Sequence, residues 1–240
     1  PEAYFKIYLH LEMPPAWCRK NPDELIRLDN GGDSLSNAPG KHRQASYASE
    51  LWRTRMGIAL KDAVRILQES PFADRIPYLR LCYANCGEWN HWGYHEKAFV
   101  DYSLPMQKAF GAWLKKKYGT NEALQKAWGR ADANFLSENL VPARDVRLKG
   151  GDFLRLGGTE TRSAVDYYTF FQEYAAETIL CFAKIVKDAS NRRLAVGAYY
   201  GYYFGHYGSN PYHFQDSGHY GVGKILPSPD IDFIGGPYQY

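Results

Sequence analysis

The chain has 240 residues, enough for one large domain with its own hydrophobic core. Its 29 basic and 26 acidic residues give a formal net charge of +3, which excludes the strongly charged surface typical of nucleic-acid-binding proteins. No stretch reaches the roughly 18 consecutive apolar residues that suggest a membrane-spanning helix. We therefore expect neither nucleic acid nor a membrane as a partner.

Cysteine and histidine spacing excludes the common metal motifs. The cysteines are Cys18, Cys82, Cys86 and Cys181, and no second Cys or His pair stands at zinc spacing. We predict no metal, no cofactor and no disulfide framework. No secretion signal is visible at Pro1, so the compartment, whether cytoplasmic, periplasmic or secreted, stays open, as does assembly into a homo-oligomer.

Aromatic residues are the unusual part of the composition. They make up 16% of the chain, with 20 Tyr and 6 Trp, and many fall outside the periodic segments. Tyr and Trp combine an apolar face with a polar group, which suits stacking on sugar rings and hydrogen bonding to hydroxyls. Filling a large core is the alternative use, and it accounts for part of them.

Strands and helices alternate along the chain. Apolar, β-rich runs predict the strands, and apolar residues at helical spacing predict the helices. In chain order we predict a strand at 3–11, a short helix at 23–28, a long amphipathic helix at 49–69, a strand at 76–84, helices at 105–118 and 121–128, a loop at 132–159, a long helix at 160–189, a strand at 193–203, a short helix at 217–226 and a strand at 231–234.

This alternation predicts a parallel α/β architecture. The strands at 76–84 and 193–203 show almost no polar alternation, which is typical of strands covered on both faces. Loops that follow strands are rich in Trp, Tyr, His and Asn, whereas loops that return from helices are short. A TIM (β/α)8-barrel has this asymmetry, because its site lies at the carboxyl ends of its strands. A doubly wound sheet is the alternative, but no glycine-rich phosphate loop follows any strand.

The number of strands is too small for a complete barrel. Such a barrel takes about 250 residues, and this chain uses 86–159 for one helical and loop insert. We therefore expect residues 1–240 to be the central segment of a single barrel domain, with strands missing at both ends. A partial barrel would leave strand faces and sheet edges uncovered.

One carboxylate stands out within residues 79–93, LRLCYANCGEWNHWG. Glu88 follows an apolar strand and directly precedes Trp89. Cleavage of a glycosidic bond needs a carboxylic acid that protonates the leaving oxygen, and burial against aromatic rings raises the pKa of such a group. Pairing of Glu88 with an arginine such as Arg80, or capping of the next turn, is the structural alternative.

Motifs in a common order give a resemblance over nearly the whole chain. PYLRLCYANCGEWNHWG resembles the acid/base strand end of clan A glycoside hydrolases, above all the family 42 β-galactosidase-like proteins. MPPAW and NPDEL resemble the third-strand region of that family, and SELWRTRMGIALKDAVRIL resembles the helix that follows. FGAWLKKKYGTNEALQKAWG resembles the insert after the acid/base, and GAYYGYYF, DSGHY and SPDIDFIGGPYQY resemble strands five and six.

The resemblance implies a retaining glycoside hydrolase that cleaves a β-glycosidic bond in a glycoside or oligosaccharide. Glu88 would be the general acid/base at the end of strand four, and the chain would cover strands three to six. The nucleophilic glutamate of the family lies on strand seven, so we expect it beyond residue 240 and expect the chain alone to be inactive. The family carries Asn directly before the acid/base, whereas this chain has Gly87, with Asn85 nearby.

Further candidates for substrate contact lie in the loops after the strands. Packing in the core is the alternative for each, and a degenerate barrel that binds carbohydrate without cleaving it is the alternative function. No G-x-S-x-G nucleophile elbow occurs. The candidates are Trp17, Asn85, Trp89, Trp92, Tyr200, Tyr202, His206, His219 and Tyr238.

Overall fold

The computed structural model describes residues 3–35, 43–91, 97–150, 158–202 and 211–236. Within these ranges the strands form one sheet, in which every strand pairs in parallel with the next strand along the chain. The sequence therefore predicted the parallel α/β class correctly. The strands are β1 (Lys6–His10), β2 (Tyr78–Cys82), β3 (Ala195–Tyr199) and β4 (Phe233–Gly235).

Helices connect the strands and build the insert. No helix in the described ranges has both the length and the apolar character needed to cross a membrane. The helices are α1 (Pro15–Lys20), α2 (Glu50–Glu69), α3 (Leu104–Tyr118), α4 (Asn121–Trp128), α5 (Arg144–Gly150), α6 (Arg162–Ala189), α7 (Pro211–Asp216) and α8 (Val222–Ile225).

The first turn of helix α2 is hydrogen-bonded to the residue that follows β1. The Ser49 hydroxyl accepts a hydrogen bond from the Trp52 backbone N–H at 3.0 Å, which caps the helix. The Trp52 indole N–H then donates to the Leu11 carbonyl at 2.9 Å, just after β1. The indole is fully buried and packs on Phe182 of α6, with ring centroids 5.0 Å apart. These contacts hold α2 and α6 against the sheet.

The two faces of the sheet differ. Leu79, Leu81 and Val196 point to one face and are fully buried in the core with α2 and α6. On the other face the Arg80 guanidinium lies 4.0 Å from the centroid of the Tyr199 ring. Tyr8 on that face is 43% exposed. In the described residues helices therefore cover one face of the sheet, and the other face is partly open, as expected for a segment of a barrel.

A buried carboxylate attaches the insert to α6. Asp166 is fully buried and accepts hydrogen bonds from the Lys117 ammonium at 2.7 Å, the Tyr118 hydroxyl at 2.7 Å and the Trp128 indole N–H at 2.8 Å. Buried charges need such partners, because desolvation otherwise disfavours the ionised form. Asp166 thus holds the carboxyl ends of α3 and α4 on α6.

A second buried pair holds α5, which lies in the segment predicted as loop. The Arg147 guanidinium is fully buried, forms an ion pair with Asp216 and donates to the Val100 carbonyl at 2.8 Å. It also donates to the Gln215 side-chain oxygen at 3.1 Å. A seven-residue helix has too few turns for a periodic pattern, and tertiary contacts supply most of its stability. That is why the sequence did not reveal α5.

Three shorter segments also differ from the predictions. Trp17 lies on helix α1, which starts with Pro15 at its first position, and not in a loop. The helix predicted at 23–28 is a 3₁₀ turn at Pro22–Glu24, after which Leu25 bridges Ala45 in an antiparallel ladder. The helix predicted at 217–226 is limited to α8, with α7 before it. In these places local turns and ladders override helical propensity.

Removing the positive charge at position 147 tests the contribution of the buried pair. We expect Arg147→Met to lower the free energy of unfolding by about 3–5 kcal/mol, because it leaves the Asp216 carboxylate buried without its cation. Urea titrations measure the loss. The matched control is Arg130→Met, which breaks the solvent-exposed pair with Asp132 and should have a much smaller effect. Equal losses for the two variants would contradict the analysis.

Candidate active site

The Glu88 loop leaves the carboxyl end of β2. A single 3₁₀ turn at Asn85–Gly87 follows the strand, and the Glu88 backbone N–H donates to the Asn85 carbonyl at 2.9 Å. Trp89 then anchors the loop, because its backbone N–H donates to the Tyr83 carbonyl at 2.8 Å and its indole N–H donates to the Leu81 carbonyl at 2.9 Å. The Glu88 side chain is thereby placed at the edge of the sheet and remains only partly buried.

The backbone of this loop is unusual. Several of its residues have left-handed φ angles, which residues other than glycine adopt rarely and at a cost of about 1–3 kcal/mol each. Such clusters persist only where surrounding contacts determine the conformation, and they are common at functional sites. The residues are Ala84 (φ 62°), Cys86 (54°), Gly87 (74°) and Trp89 (56°).

Burial raises the pKa of the Glu88 carboxyl group above its ordinary value, and the nearby Tyr202 hydroxyl partly opposes this rise. The pKa of Tyr202 is raised in turn, first by burial and then by the negative charge of Glu88. No ion pair joins Glu88 to Arg80 among the described residues, since the Arg80 guanidinium stacks on aromatic rings. Burial thus favours the protonated form of Glu88 relative to an exposed glutamate.

His219 contacts the main chain of this loop. Its ring is fully buried, and its Nε2 lies 2.6 Å from the carbonyl oxygen of Glu88. Its Nδ1 accepts the Tyr202 backbone N–H at 3.2 Å. Burial lowers the pKa of His219 to about 3, so the ring is neutral at ordinary pH. The expectation that His219 bonds a substrate hydroxyl is therefore wrong: both ring nitrogens are engaged by protein backbone.

The other predicted contacts fall into different environments. Trp89 is fully buried and presents no face to solvent, contrary to the expectation of a sugar contact beside the acid. Tyr200 is also buried, and its hydroxyl donates to the Gly218 carbonyl at 2.7 Å. Asn85 is buried, whereas Trp17 on α1 keeps a partly exposed side chain. The remaining candidates, Trp92, His206 and Tyr238, lie outside the described residues.

Glu12 belongs to the same edge of the sheet and was not among the predicted site residues. It follows Leu11, whose backbone N–H donates to the Cys82 carbonyl at 2.9 Å. Burial raises the pKa of the Cys82 thiol to about 12, and the charges of Glu12 and Glu88 both add to this rise. Both carboxylates are therefore within electrostatic reach of that thiol. The rule that selected Glu88, a carboxylate just after a strand, could have selected Glu12.

Cys82 also accounts for the glycine that precedes Glu88. A Cβ atom at Gly87 would lie 2.8 Å from the Cβ of Cys82 and 3.2 Å from Cε1 of His10. The residue also has a φ of 74°, which disfavours most side chains. The Asn that the resembling family carries at this position would meet the Cys82 side chain here.

A large surface groove lies elsewhere and is a poor candidate for catalysis. A cavity of about 910 Å³ opens between α2, α3 and α6, with Leu51, Trp113 and Tyr174 in its wall, and it does not include Glu88. Parallel α/β barrels place their chemistry at the carboxyl ends of the strands, and this groove runs along the covering helices. Within the described residues no group of three His, Cys, Asp or Glu side chains could hold a metal ion.

Comparisons with known proteins point to one enzyme family. Residues 11–195 match the sequence profile of the glycoside hydrolase family 42, described as β-galactosidase. The β-galactosidase BbgII of Bifidobacterium bifidum is 27% identical over 180 residues, which covers 73% of this chain and 23% of that protein. The chain therefore spans about a quarter of the length of this relative.

Solved structures agree on the fold. The β-galactosidase of the Antarctic haloarchaeon Halorubrum lacusprofundi aligns with a TM-score of 0.63 at 16% identity, over 98% of this chain and 30% of that one. The catalytic domain of a β-amylase from Paenibacillus polymyxa aligns with a TM-score of 0.66 at 17% identity, over 92% and 54%. At these identities the likeness establishes the fold alone, that of TIM-barrel glycoside hydrolases.

Adding a methyl group at position 87 tests the contact with Cys82. We expect Gly87→Ala to destabilise the chain more than Gly119→Ala, by about 1–3 kcal/mol in urea titrations, because the added methyl overlaps Cys82. Gly119 is the matched control, since its φ is 78° and a Cβ there would meet nothing within 4 Å. The two variants share the backbone penalty and differ in the steric contact. Equal losses would show that Cys82 does not exclude a side chain.

Proposed function

The chain belongs to glycoside hydrolase family 42, the β-galactosidase family, and we propose that Glu88 is the general acid/base of a retaining β-glycosidase. The observation that carries the proposal is the position of Glu88: a partly buried carboxyl group with a raised pKa, directly after the carboxyl end of a parallel strand. Family membership supports a glycosidase, and this geometry supports the choice of residue.

The proposed chemistry uses two carboxyl groups. In the first step Glu88 protonates the glycosidic oxygen while a second carboxylate attacks the sugar, and in the second step Glu88 takes a proton from the incoming water. A retaining enzyme holds the two groups about 5–5.5 Å apart. We expect the nucleophilic glutamate beyond residue 240, so we expect residues 1–240 by themselves to lack hydrolytic activity.

We further propose that β1 to β4 are strands three to six of the barrel, with 86–159 as the insert in a single catalytic domain. The sequential parallel order of the strands supports this. The proposed substrate is a β-galactoside or a related glycan. Trp17, with its partly exposed ring after β1, and Asn85 remain the proposed substrate contacts in the described ranges.

Carbohydrate binding without cleavage is the second candidate. The observation that favours it is Gly87, since the side chain that precedes the acid/base in the family is absent here. Retained binding of galactosides by the longest natural polypeptide carrying this chain, without turnover of any aryl glycoside, would favour this candidate over hydrolysis.

Replacing the acid is the direct test of the proposed role. In the longest natural polypeptide that carries this chain, we expect Glu88→Gln to lower kcat/KM for phenyl β-D-galactoside by about 10²–10⁴. The loss should be much smaller for 2,4-dinitrophenyl β-D-galactoside, whose leaving group needs no proton. Glu138→Gln, on the exposed surface of the insert, is the charge-matched control. An unchanged rate for Glu88→Gln would remove this residue from the mechanism.

The pH profile tests the contact between Tyr202 and Glu88. Glu88 must be protonated to act as the acid, so activity should fall as the pH rises through its pKa. The Tyr202 hydroxyl favours the ionised form, so Tyr202→Phe should raise that pKa and move the alkaline limb of kcat/KM to higher pH. Tyr102→Phe, whose hydroxyl bonds the Pro142 carbonyl, should leave the limb in place. A shift to lower pH would contradict the assignment.

A further inference from the structure

We infer that His219 is a positioning residue for Glu88: its imidazole, fixed as the neutral Nε2–H tautomer, holds the main chain of the acid/base residue from the segment that follows β3. The inference rests on the proposed role of Glu88 and adds to it the group that sets where the carboxyl stands.

The tautomer follows from the two backbone partners. A backbone N–H can only donate, so Nδ1, which lies 3.2 Å from the Tyr202 nitrogen, must present its lone pair. A backbone carbonyl can only accept, so Nε2, 2.6 Å from the Glu88 oxygen, must carry the proton. Protonation of the ring would break the first bond, and the other tautomer would break both. The environment therefore admits one neutral form.

The ring itself is held from several sides. His219 is fully buried and stacks on Tyr200, with ring centroids 4.9 Å apart and planes inclined by 22°. The Tyr200 hydroxyl donates to the Gly218 carbonyl at 2.7 Å, and the Ser217 hydroxyl accepts the His219 backbone N–H at 3.3 Å. Because the His219 ring cannot rotate, its Nε2–H can hold the Glu88 carbonyl oxygen in one position.

Glu88 needs such a hold because two residues close to it have costly backbone conformations. Cys86 and Trp89 have φ angles of 54° and 56°, which residues other than glycine rarely adopt. The Trp89 carbonyl accepts the Tyr47 hydroxyl at 2.7 Å, and the Glu88 carbonyl accepts His219. Without the His219 bond, the peptide that carries the acid has no partner from the β3 side among the described residues. A shift of about 1 Å in a reacting group can reduce a rate by about 10².

A neutral ring also leaves the titration of Glu88 undisturbed. An imidazolium so close would favour the ionised carboxylate, whereas burial keeps His219 uncharged. The other groups that act on Glu88 or on its surroundings are the Tyr202 hydroxyl after β3, the Cys82 thiol on β2 and the Glu12 carboxylate after β1. Burial raises the pKa of Cys82 to about 12, so this thiol stays protonated while Glu88 titrates.

Two variants in the longest natural polypeptide test the positioning role. His219→Phe keeps an aromatic ring and removes both hydrogen bonds, and we expect its kcat/KM for phenyl β-D-galactoside to fall by about 10–10². The loss of kcat/KM should be much smaller for 2,4-dinitrophenyl β-D-galactoside, because its leaving group departs without protonation. His219→Gln, whose terminal amide can donate to the Glu88 carbonyl, should recover part of the loss.

The control is a second fully buried histidine, His91, which lies in the loop of Glu88 itself. Neither ring nitrogen of His91 has a hydrogen-bond partner among the described residues, and its ring packs 4.8 Å from that of Tyr47. His91→Phe should change kcat/KM for the two substrates by the same factor. Suppose that Glu88→Gln lowers kcat/KM more for the phenyl galactoside than for the 2,4-dinitrophenyl galactoside. Then an equal loss of kcat/KM on both substrates for His219→Phe, or no loss, would overturn the inference. If Glu88→Gln also shows no selectivity, the proposed acid itself fails.

The tautomer is measurable in the unaltered protein, which covers the case of variants that do not fold. Nitrogen-15 and proton NMR of the histidine rings should show a buried imidazole that carries its proton on Nε2 and stays neutral at pH 5, well below the ordinary pKa of about 6.5. A proton on Nδ1 of His219, or titration of this ring near pH 6.5, would overturn the inference.

Discussion

Parallel pairing in sequential order is the constraint on which the site depends. Because β1, β2 and β3 run in the same direction and in register, their carboxyl ends lie at one edge of the sheet. Residues far apart in the chain, Glu12, Glu88 and Tyr202, therefore come together there. An antiparallel neighbour would have sent one of these segments to the opposite edge. The helices α2 and α6 serve this arrangement by covering one face of the sheet, and the long insert is an addition to it.

Environment separates the role of Glu88 from the roles of the buried aspartates. Asp166 and Asp216 each contact a cation directly, Lys117 and Arg147, and each joins helices of the insert to the rest of the chain. Removing such a partner leaves a charge without compensation, which is why these groups are structural. Glu88 has the neutral Tyr202 hydroxyl as its described side-chain partner and is only partly buried. A carboxyl group in that setting can exchange its proton with a substrate and still be held in place.

The sequence predicted the elements with long, clear periods and missed those that depend on contacts distant in the chain. The family resemblance is confirmed, and the strands and the helices α2, α3, α4 and α6 lie where their patterns indicated. Helix α5 depends on Arg147 reaching Asp216, and no local pattern shows that pairing. In the site, Glu88 could be selected from the sequence because it is a carboxylate that follows an apolar strand. The burial of Trp89 could not be predicted in this way, because it depends on packing against rings distant in the chain, Tyr47 and Phe182.

Fold and specificity come from different parts of this chain. A β-amylase catalytic domain shares the fold as closely as a β-galactosidase does, so the barrel alone does not select the sugar. Selection has to come from side chains beside the acid, and here the position before Glu88 contributes none. The Cys82 side chain occupies the space into which a residue at 87 would project, so a polar contact from 87 and a cysteine at 82 exclude one another. The segment after β1, with Glu12 and with the partly exposed Trp17 on α1, is a described segment that offers both a charge and an aromatic face. Position 87 therefore has no room for a polar side chain that could contact a sugar, whereas the end of β1 offers both a charge and a partly exposed ring.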